Sequence, residues 1–584
     1  MELANPIVTG ATAVDGQTLS LSGADGTFTA SAITVNQAAT LNFNSPAGVA
    51  GATRVAAVTL KTGTLTVTGN NTANSVDSIS GALTLDNATT GGTDFIDVTA
   101  NAAKNAQLVV SSLVRTNGQI AVITGSNLGA APGNGVANVK VTSAPTAIGG
   151  GGEANTVNVS IVPWVIGTTN VGGAALSFET YSPTGGFRPL NVATEYDILT
   201  NGFSGTVSGT DHNVRIPASA TVTLTGDNTI NSLYMGTATA GATLNGAGTL
   251  KVTSGAVFLA ANSTTTIAMP LDFGTAQGVI GFWKGKASTI SSSIAGSGGL
   301  VLYQATTMPA TGSGGTGVTL SGPCTYTGDT FVVGKAFVNS SSVLPNGSRT
   351  GNVHISGILE INNGVLNGLN GTGMVTKPSS GGGTLVIGDN NAQGDFSGTI
   401  TGNTVWTVVK IGSGTQRLGG VSTYTTATTV SNGTLIVDGT IVSPTTVLTN
   451  AILRGKGTID KSGTAITVNN GGMLAPGDAN GIGTMTVLQG NVAFANGAFL
   501  KVKVGTAGAC LLDVAGTVTN TVAGTVTIPV TVEGAGSGKW RVIKATSITP
   551  TFTSATSGCT VTIENSGTEL WVNRPSKGTL ISIL

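Results

Sequence analysis

Charge is scarce in this sequence. Of its 584 residues only 9% are charged and 4% are aromatic, whereas soluble domains carry about 25% charged residues. The 25 basic and 25 acidic side chains cancel to a formal net charge of zero. Proteins that bind nucleic acid or anionic membranes need an excess of positive charge. The composition therefore argues against both classes of partner.

Cysteine is scarce as well. Cys324, Cys510 and Cys559 are too few for a disulfide framework, and no CxxC spacing marks a zinc site. Cys510 and Cys559 could pair with each other or remain buried free thiols. The stretch GDNNAQGD (388–395) fits Asx turns more simply than a calcium loop. We expect no cofactor and no metal centre.

Long apolar runs are missing. No stretch of about 18 apolar residues occurs, so we predict no membrane-spanning segment. The start, MELANPIVTG, lacks the basic and apolar regions of an export signal. We therefore expect a processed chain, or export by a signal that the sequence does not contain.

Short alternating runs are abundant instead. Examples are AVTLKTGTLTVTG (57–69) and TLIVDGTI (434–441), and many such runs are followed by one of the 88 glycines. Alternating side chains go to opposite faces of a strand, so each run can bury one face. Glycine supplies the turns between the runs. Helical periodicity of useful length is missing, and we predict an all-β chain.

The low content of charged residues favours a right-handed parallel β-solenoid over a β-sandwich. The strand units recur at a spacing of roughly 20 residues, as in repeat architectures. Stacked rungs bring equivalent residues to within about 4.8 Å of each other. Like charges would repel at that distance, whereas stacked Thr, Asn and Val do not. A chain built mainly of such residues is what rung stacking selects.

The pattern divides the chain into four segments. We predict a β-rich or solenoid region over 1–146, an irregular excursion with a loop cluster over 147–215, a β-solenoid over 216–484, and a β-rich C-terminal cap with a terminal strand over 485–584. The cap would cover the exposed last edge of the stack, as solenoids require.

One strand unit occurs twice in the sequence. TLSGPCTYTGDTFVV (319–333) returns as RLGGVSTYTTATTV (417–430). Leu320 falls on Leu418 and Tyr326 on Tyr424, an offset of 418 − 320 = 98 residues. We interpret these four residues as structural positions of a repeat motif, where the tyrosines pack or brace a turn.

These stretches, with KIGSGTQRLGGVSTYTTATTVSNGTLIVDG (410–439), resemble the autotransporter-associated β-strand repeat family over about the last half of the chain. The resemblance implies an exported right-handed β-helix, commonly on bacterial cell surfaces. Complete autotransporters add a C-terminal barrel, whereas this sequence stops at KGTLISIL. We therefore expect a passenger-like surface protein.

Catalytic constellations are weak. Asp211 and His212 are adjacent and would point to opposite faces of a strand, so they cannot easily form part of a triad. A polysaccharide-acting enzyme would need converging carboxylates, and we identify one sufficiently dense cluster: Glu179, Arg188, Glu195, Asp197, Asp211 and Arg215. We interpret this cluster as ion pairs that fix a loop, and we predict no enzyme activity.

Assembly is the function that the sequence favours. The mean hydropathy is +0.29, and so few charges cannot cover a long solenoid, which invites association. The terminal strands also lack guarding charges. We predict a homo-oligomer or homopolymer, extracellular or on a bacterial cell surface, that forms a fibre or surface layer through terminal strands. The residues predicted to make these contacts are Leu580, Ile581, Ile583, Leu584, Ile7 and Val8.

An alternative function stays open. The chain could instead be a bacterial surface adhesin, similar to an autotransporter passenger, that binds surface glycans. Its candidate binding face would be the excursion FETYSPTGGFRPLNVATEYD (178–197).

Overall fold

Parallel β-strands make up almost all of the regular structure. We describe a computed structural model, and the residues it describes are 2–3, 12–87, 91–173, 175–237, 239–261, 263–283, 288–305, 317–338, 343–347, 350–377, 382–402, 406–478, 481–522, 527–534 and 536–576. Over these residues the sheets include ones of 18, 10 and 9 strands, and the single helical element is the short 3-10 turn Asn565–Gly567. The predicted all-β, parallel β-solenoid is confirmed.

The alternating runs form the strands for the expected reason. In Thr64–Thr68, Leu65 and Val67 point inward and are fully buried, while the threonines face outward. The preceding rung places Leu41 directly under Leu65 in parallel register. Residues of similar shape therefore lie above one another, and β-branched side chains suit the pleated surface they form.

The described chain divides into two compact units. One comprises residues 1–339 with 354–359, and the other comprises residues 340–353 with 360–584. The strands Val353–Ile355 and Ile358–Ile361 contain residues of both units. Each unit is described by itself.

The first unit begins with a stack of two facing sheets, which we call the first stack. In sheet order, the nine strands of one sheet are Glu2–Leu3, Thr18–Ser22, Thr40–Asn44, Thr64–Thr68, Asp94–Thr99, Ala121–Gly125, Val162–Thr168, Ser177–Ser182 and Gly186–Pro189. The six strands of the other are Ala137–Ser143, Ala106–Arg115, Ser75–Leu85, Thr53–Leu60, Phe28–Val35 and Thr12–Val14. Pairing is parallel except in the last three strands of the nine, which run antiparallel to one another. Inward aliphatic side chains and phenylalanines form the core.

The first unit continues with a second stack. It contributes seven strands to the 18-stranded sheet: Asp197–Ile198, Asn213–Ile216, Ser232–Met235, Ala256–Leu259, Gly278–Phe282, Leu300–Gln304 and Thr330–Val332. It contributes seven to the ten-stranded sheet: Ser204–Gly205, Thr221–Leu224, Thr243–Gly246, Thr266–Ile267, Ser288–Ile290, Val318–Leu320 and Lys335–Val338. A four-stranded sheet consists of Asn228–Ile230, Leu250–Val252, Leu271–Asp272 and Ile294–Ala295.

A second hydrophobic core joins the two stacks of the first unit. Parallel register aligns one outward column on the second stack: Arg215, Tyr234, Phe258, Gly281 and Tyr303. The aromatic members of this column are buried, and Phe258 lies edge-on to Phe178 of the first stack with ring centroids 6.4 Å apart. A side chain at Gly281 would collide with the Tyr303 ring, so glycine is required where that ring crosses the backbone.

The two stacks run in opposite directions along this core. Phe178, late in the first stack, meets Phe258, early in the second. Gly92, earlier in the first stack, donates its backbone N–H to the carbonyl of Val333, late in the second. The chain of the first unit therefore folds back on itself after the hairpin of Ser177–Ser182 and Gly186–Pro189.

The described strands of the second unit belong to four sheets. Its members of the 18-stranded sheet are Leu369–Gly371, Gly394–Phe396, Thr415–Leu418, Gly433–Val437, Ala451–Gly455, Met473–Pro476, Phe499–Gly505, Gly508–Ala509, Thr527–Gly534 and Thr551–Ser554. Its members of the ten-stranded sheet are Met374–Thr376 and Thr399–Ile400. A nine-stranded sheet holds Gly364–Leu366, Gly383–Ile387, Trp406–Lys410, Ala427–Val430, Thr445–Val447, Gly463–Val468, Gly490–Phe494, Thr517–Asn520 and Ser547–Ile548. An eight-stranded sheet holds Val421–Ser422, Thr440–Ile441, Thr458–Ile459, Thr484–Val487, Leu511–Val514, Gly538–Lys544, Glu569–Arg574 and Thr560–Glu564.

Ladders of identical residues follow the rungs of the second unit. Thr429, Thr446 and Thr467 lie in register on the outer face of one sheet. At the end of the eight-stranded sheet, the last three strands turn antiparallel, and their outer side chains include the ion pair Lys539–Glu564 at 2.7 Å. Charges on an edge strand discourage further pairing, so this part of the predicted C-terminal cap protects its own sheet.

Candidate functional site

The charged cluster singled out in the sequence lies where the chain of the first unit folds back. Arg188, on the hairpin, donates Nη1 to Oε2 and Nη2 to Oε1 of Glu195, both at 2.8 Å. Glu195 also accepts the backbone N–H groups of Asn155 and Asn191. Burial opposes ionisation, but these hydrogen bonds lower the pKa of Glu195 below its ordinary value. The pair fixes the loop, and its carboxylate is fully engaged.

Asp197, Asp211 and His212 do not assemble a catalytic triad. The imidazole Nδ1 of His212 lies 3.2 Å from Oδ2 of Asp197, while Asp211 accepts a hydrogen bond from Asn158. Ser208 donates its hydroxyl to Asp197 rather than to the imidazole. A nucleophilic serine needs contact with the base, and here the carboxylate separates the two.

Glu179 is the buried acid of the hairpin. It is fully buried, and neither carboxyl oxygen has a hydrogen-bond partner within the described structure. Burial raises the pKa of Glu179 well above its ordinary value, although the charge of Arg188 opposes the rise. Burial therefore favours the protonated form of the Glu179 carboxyl group. It lies against Gly167, where any side chain would collide with it.

A cleft of about 590 Å³ opens beside this hairpin. It lies between the end of the first stack and the first rungs of the second, and Pro189, Leu190 and Val192 form an apolar wall. Hydroxyl side chains line much of the remainder: Thr168, Thr169, Ser177, Thr237 and Thr239. Asn170 and Asn191 add amides. The volume is within the range of roughly 300–1,000 Å³ found for small-molecule sites.

Arg215 supplies positive charge to the cleft. Its Nη1 donates to the carbonyl oxygen of Val192 at 3.0 Å, and its guanidinium carbon lies 5.9 Å from the ring centroid of Tyr234. Its Nε is buried and has no hydrogen-bond partner within the described structure. The described residues that line the cleft include no acid. A fixed, partly unsatisfied cation therefore faces a neutral polar surface.

The repeated tyrosines occupy the same local geometry. Both are buried, and each hydroxyl lies 2.7 Å from the threonine hydroxyl four residues on, Thr330 for Tyr326 and Thr428 for Tyr424. In both places this contact joins a corner to the start of the next strand.

The leucines of the repeat are buried as well, but they belong to different sheets. Leu320 lies in the ten-stranded sheet, whereas Leu418 lies in the 18-stranded sheet. The repeated unit is thus a strand, a corner and a strand, and it is placed on different sides of the solenoid in the two copies.

Other predicted positions fall elsewhere. The terminal residues predicted to mediate assembly lie outside the described residues: Ile7, Val8, Leu580, Ile581, Ile583 and Leu584. Cys324, Cys510 and Cys559 are buried free thiols, so Cys510 and Cys559 do not pair. Within the described ranges no group of three or more His, Cys, Asp or Glu side chains could hold a metal ion, and no helix is long and apolar enough to cross a membrane.

No family model matches the chain, and no curated protein matches it. The β-solenoid architecture is therefore established by the sheets, while the resemblance to the autotransporter-associated repeat stays a prediction.

The sequence indicated Arg215 and the excursion 178–197, which contains Pro189 to Val192 of the cleft, but not the remaining lining residues. The lining residues come from segments near 170, 190, 215 and 237, and their spacing follows no motif. One signal was present: the run SLYM (232–235) is apolar without alternation, which is typical of a strand covered on both faces. That run indicates a second packing partner beside Arg215.

Proposed function

We propose that the chain is an extracellular structural protein, similar to autotransporter passengers, that self-assembles into a fibre or surface layer through its β-solenoid. The observation that carries the proposal is the stacking itself. Short parallel strands repeat in register, in one sheet with an outer ladder of threonines, and the described sheets end in edge strands. A sheet of this kind can be extended by a strand from another copy.

The described edges have the composition that pairing needs. Thr551–Ser554 is the last strand of the 18-stranded sheet and pairs in parallel with Thr527–Gly534. Its outward residues Thr551 and Thr553 are exposed and uncharged. Thr12–Val14 lies at the edge of the six-stranded sheet. A head-to-tail contact between such edges is heterologous, so it continues into a fibre unless rotation closes a ring.

The composition supports an exposed material. Only 25 of 584 residues are lysine or arginine, which leaves few sites for trypsin-like proteases. The outer threonine ladders, such as Thr429, Thr446 and Thr467, bring neutral residues together without repulsion. Neighbouring copies could continue the same ladders.

Sedimentation velocity and electron microscopy over a range of protein concentrations test assembly. We expect concentration-dependent oligomers or filaments from the full chain. The double variant Thr551→Lys/Thr553→Lys places two charges on the edge and should reduce assembly at least about tenfold, as guarding charges do. Deletion of residues 578–584 tests the predicted terminal strand in the same way.

The matched control is Thr484→Lys. Thr484 is equally exposed on Thr484–Val487, an interior strand of the eight-stranded sheet. This variant should assemble like the parent chain. A chain that stays monomeric at every concentration would contradict the proposal, as would edge variants and a terminal deletion that assemble unchanged.

Glycan binding is the second candidate function, and the cleft beside Arg215 favours it. The cleft adjoins the excursion (178–197) that the sequence proposed as a binding face. A polysaccharide-acting enzyme gains no such support, because Glu195 and Asp197 each face a basic partner.

A further inference from the structure

We propose that the cleft beside Arg215 binds a carboxylated oligosaccharide, that is, a glycan containing uronic acid. This inference deepens the glycan-binding candidate and does not depend on self-assembly. It rests on the charge, the hydroxyl groups and the apolar wall of a single cleft in the first unit.

The charge selects a carboxylate. Arg215 is held by the Val192 carbonyl oxygen at 3.0 Å and by the Tyr234 ring, so little side-chain freedom is lost when it binds. The guanidinium lines the cleft, although its Nε is itself buried away from solvent. The planar guanidinium donates to a carboxylate through two parallel hydrogen bonds. A carboxylate bound in the cleft would receive these hydrogen bonds from the Nη groups of Arg215, not from its buried Nε.

The neighbouring acids do not compete for Arg215. Glu195 makes both guanidinium contacts with Arg188, and Asp197 faces His212 at 3.2 Å. The positive charge in the cleft is thus left for a ligand.

The rest of the lining suits a sugar. Thr237 and Thr239 lie on one side of the cleft, with their hydroxyl oxygens 3.3 Å apart. Asn170 and Asn191 add side-chain amides, which can both donate and accept hydrogen bonds. Sugar hydroxyls need both kinds of partner. Leu190 and Val192 present apolar surface to the C–H face of a sugar ring. A lone phosphate would make little use of these groups.

Isothermal titration calorimetry of the full chain with trigalacturonic acid, and with galactotriose as the neutral counterpart, tests the proposal. We expect the acidic trisaccharide to bind, and the neutral one to bind at least about tenfold more weakly, because the charge-assisted hydrogen bonds are lost. Arg215→Gln should weaken binding of the acid by a similar factor and abolish the preference.

Arg454→Gln is the matched control. Arg454, in the second unit, is also half-buried with an Nε that lacks a partner in the described structure, but it does not line the cleft. It should leave binding unchanged. Thr237→Val/Thr239→Val provides a second variant if Arg215→Gln perturbs the fold, and it should weaken binding of both sugars.

Three outcomes would overturn the proposal: no heat of binding with trigalacturonic acid, equal binding of galactotriose, or full binding by folded Arg215→Gln and the threonine variant. Binding of acetate or of a peptide carboxyl terminus as tightly as trigalacturonic acid would also reject a sugar ligand. Sedimentation of the same samples reports assembly separately, so a failure of this site and a failure of self-assembly are distinguishable.

Discussion

The strands of the 18-stranded sheet are used differently in the two units. In the first unit, Ser232–Met235 and Ala256–Leu259 are buried at every residue. In the second unit, Thr415–Leu418 and Gly433–Val437 alternate between buried and partly exposed residues. The first set supports a second core on its outer face, and the second set faces solvent there.

The outer columns show what this difference requires. The column of the first unit holds aromatic rings and a glycine between Arg215 and Tyr303. The corresponding positions of the second unit include Arg417, Ile436 and Arg454, and Arg417 pairs with Asp438 at 2.8 Å. The same strand geometry therefore faces a hydrophobic core in the first unit and solvent in the second. The outward-facing residue of each rung determines which of the two it faces.

An aspartate introduced into the outward column of each unit should give the largest difference in lost stability between the two units. Phe258→Asp buries a carboxylate between the two stacks, and we expect a loss of about 5 kcal/mol or more. Ile436→Asp lies in register between Arg417 and Arg454 and should cost about 1 kcal/mol or less. Urea unfolding followed by pulsed hydrogen exchange reports each unit separately. Equal losses of stability for the two variants would contradict the distinction between a buried and a solvent-facing column.

Breaking an ion pair should likewise cost more stability in the first unit, where the pair is buried, than in the second, where it is exposed. Arg54 and Asp77 of the first unit are fully buried, with Nε and Oδ1 at 2.6 Å. Asp77→Ala leaves the guanidinium buried without its partner and should cost about 3–5 kcal/mol. Asp395→Ala removes an exposed partner of Arg417 and should cost at most about 1 kcal/mol. The same exchange experiment measures both, and a comparable cost for the exposed pair would contradict this expectation.

Individual carboxyl groups of the two units should also respond to pH in opposite directions. Burial raises the pKa of Glu179 in the first unit, so the folded chain keeps a proton that the unfolded chain releases above the ordinary pKa of 4.5. The contribution of Glu179 to the stability of the first unit should then fall as pH rises from 4.5, by at most about 1.4 kcal/mol per pH unit, and buried Asp94, whose pKa is also raised by burial, should add to the same trend.

In the second unit, hydrogen bonds from Lys539 and Arg541 lower the pKa values of Glu564 and Glu569. Their contribution is present above pH 4.5 and is lost as pH falls through the folded pKa values. Urea midpoints from pH 3 to 8, with exchange labelling at one fixed pH, measure both trends. Glu179→Gln should reduce the slope of the first unit, and an unchanged slope would show that Glu179 does not contribute to it.

The smallest difference in stability cost between the two units is expected for the repeated tyrosines. Tyr326→Phe in the first unit leaves the Thr330 hydroxyl without this bond and should cost about 1–2 kcal/mol. Tyr424→Phe in the second unit should cost less, about 0.5–1 kcal/mol, because Thr428 also lies 2.6 Å from the hydroxyl of Ser443. Denaturation of both variants checks the order, and the reverse order would show that the second hydroxyl contact does not compensate.

The alternating runs were sufficient to predict the stacked strands, because inward and outward residues follow directly from a period of two. Thr64–Thr68 shows this in full. The fold-back of the first unit could not be predicted in that way. Contacts such as Phe178 with Phe258 join segments that share no periodic signal. The cleft at Arg215 depends on those contacts, which explains why the sequence indicated Arg215 and the excursion 178–197 but not the shape of the cleft.

Gly281 has a consequence for how related sequences can vary. Its missing side chain makes room for the Tyr303 ring one rung later. A larger residue at 281 can be tolerated only if 303 shrinks at the same time, so the two positions should exchange volume as a pair. A chain with a small residue at 303 would be expected to accept a side chain at 281.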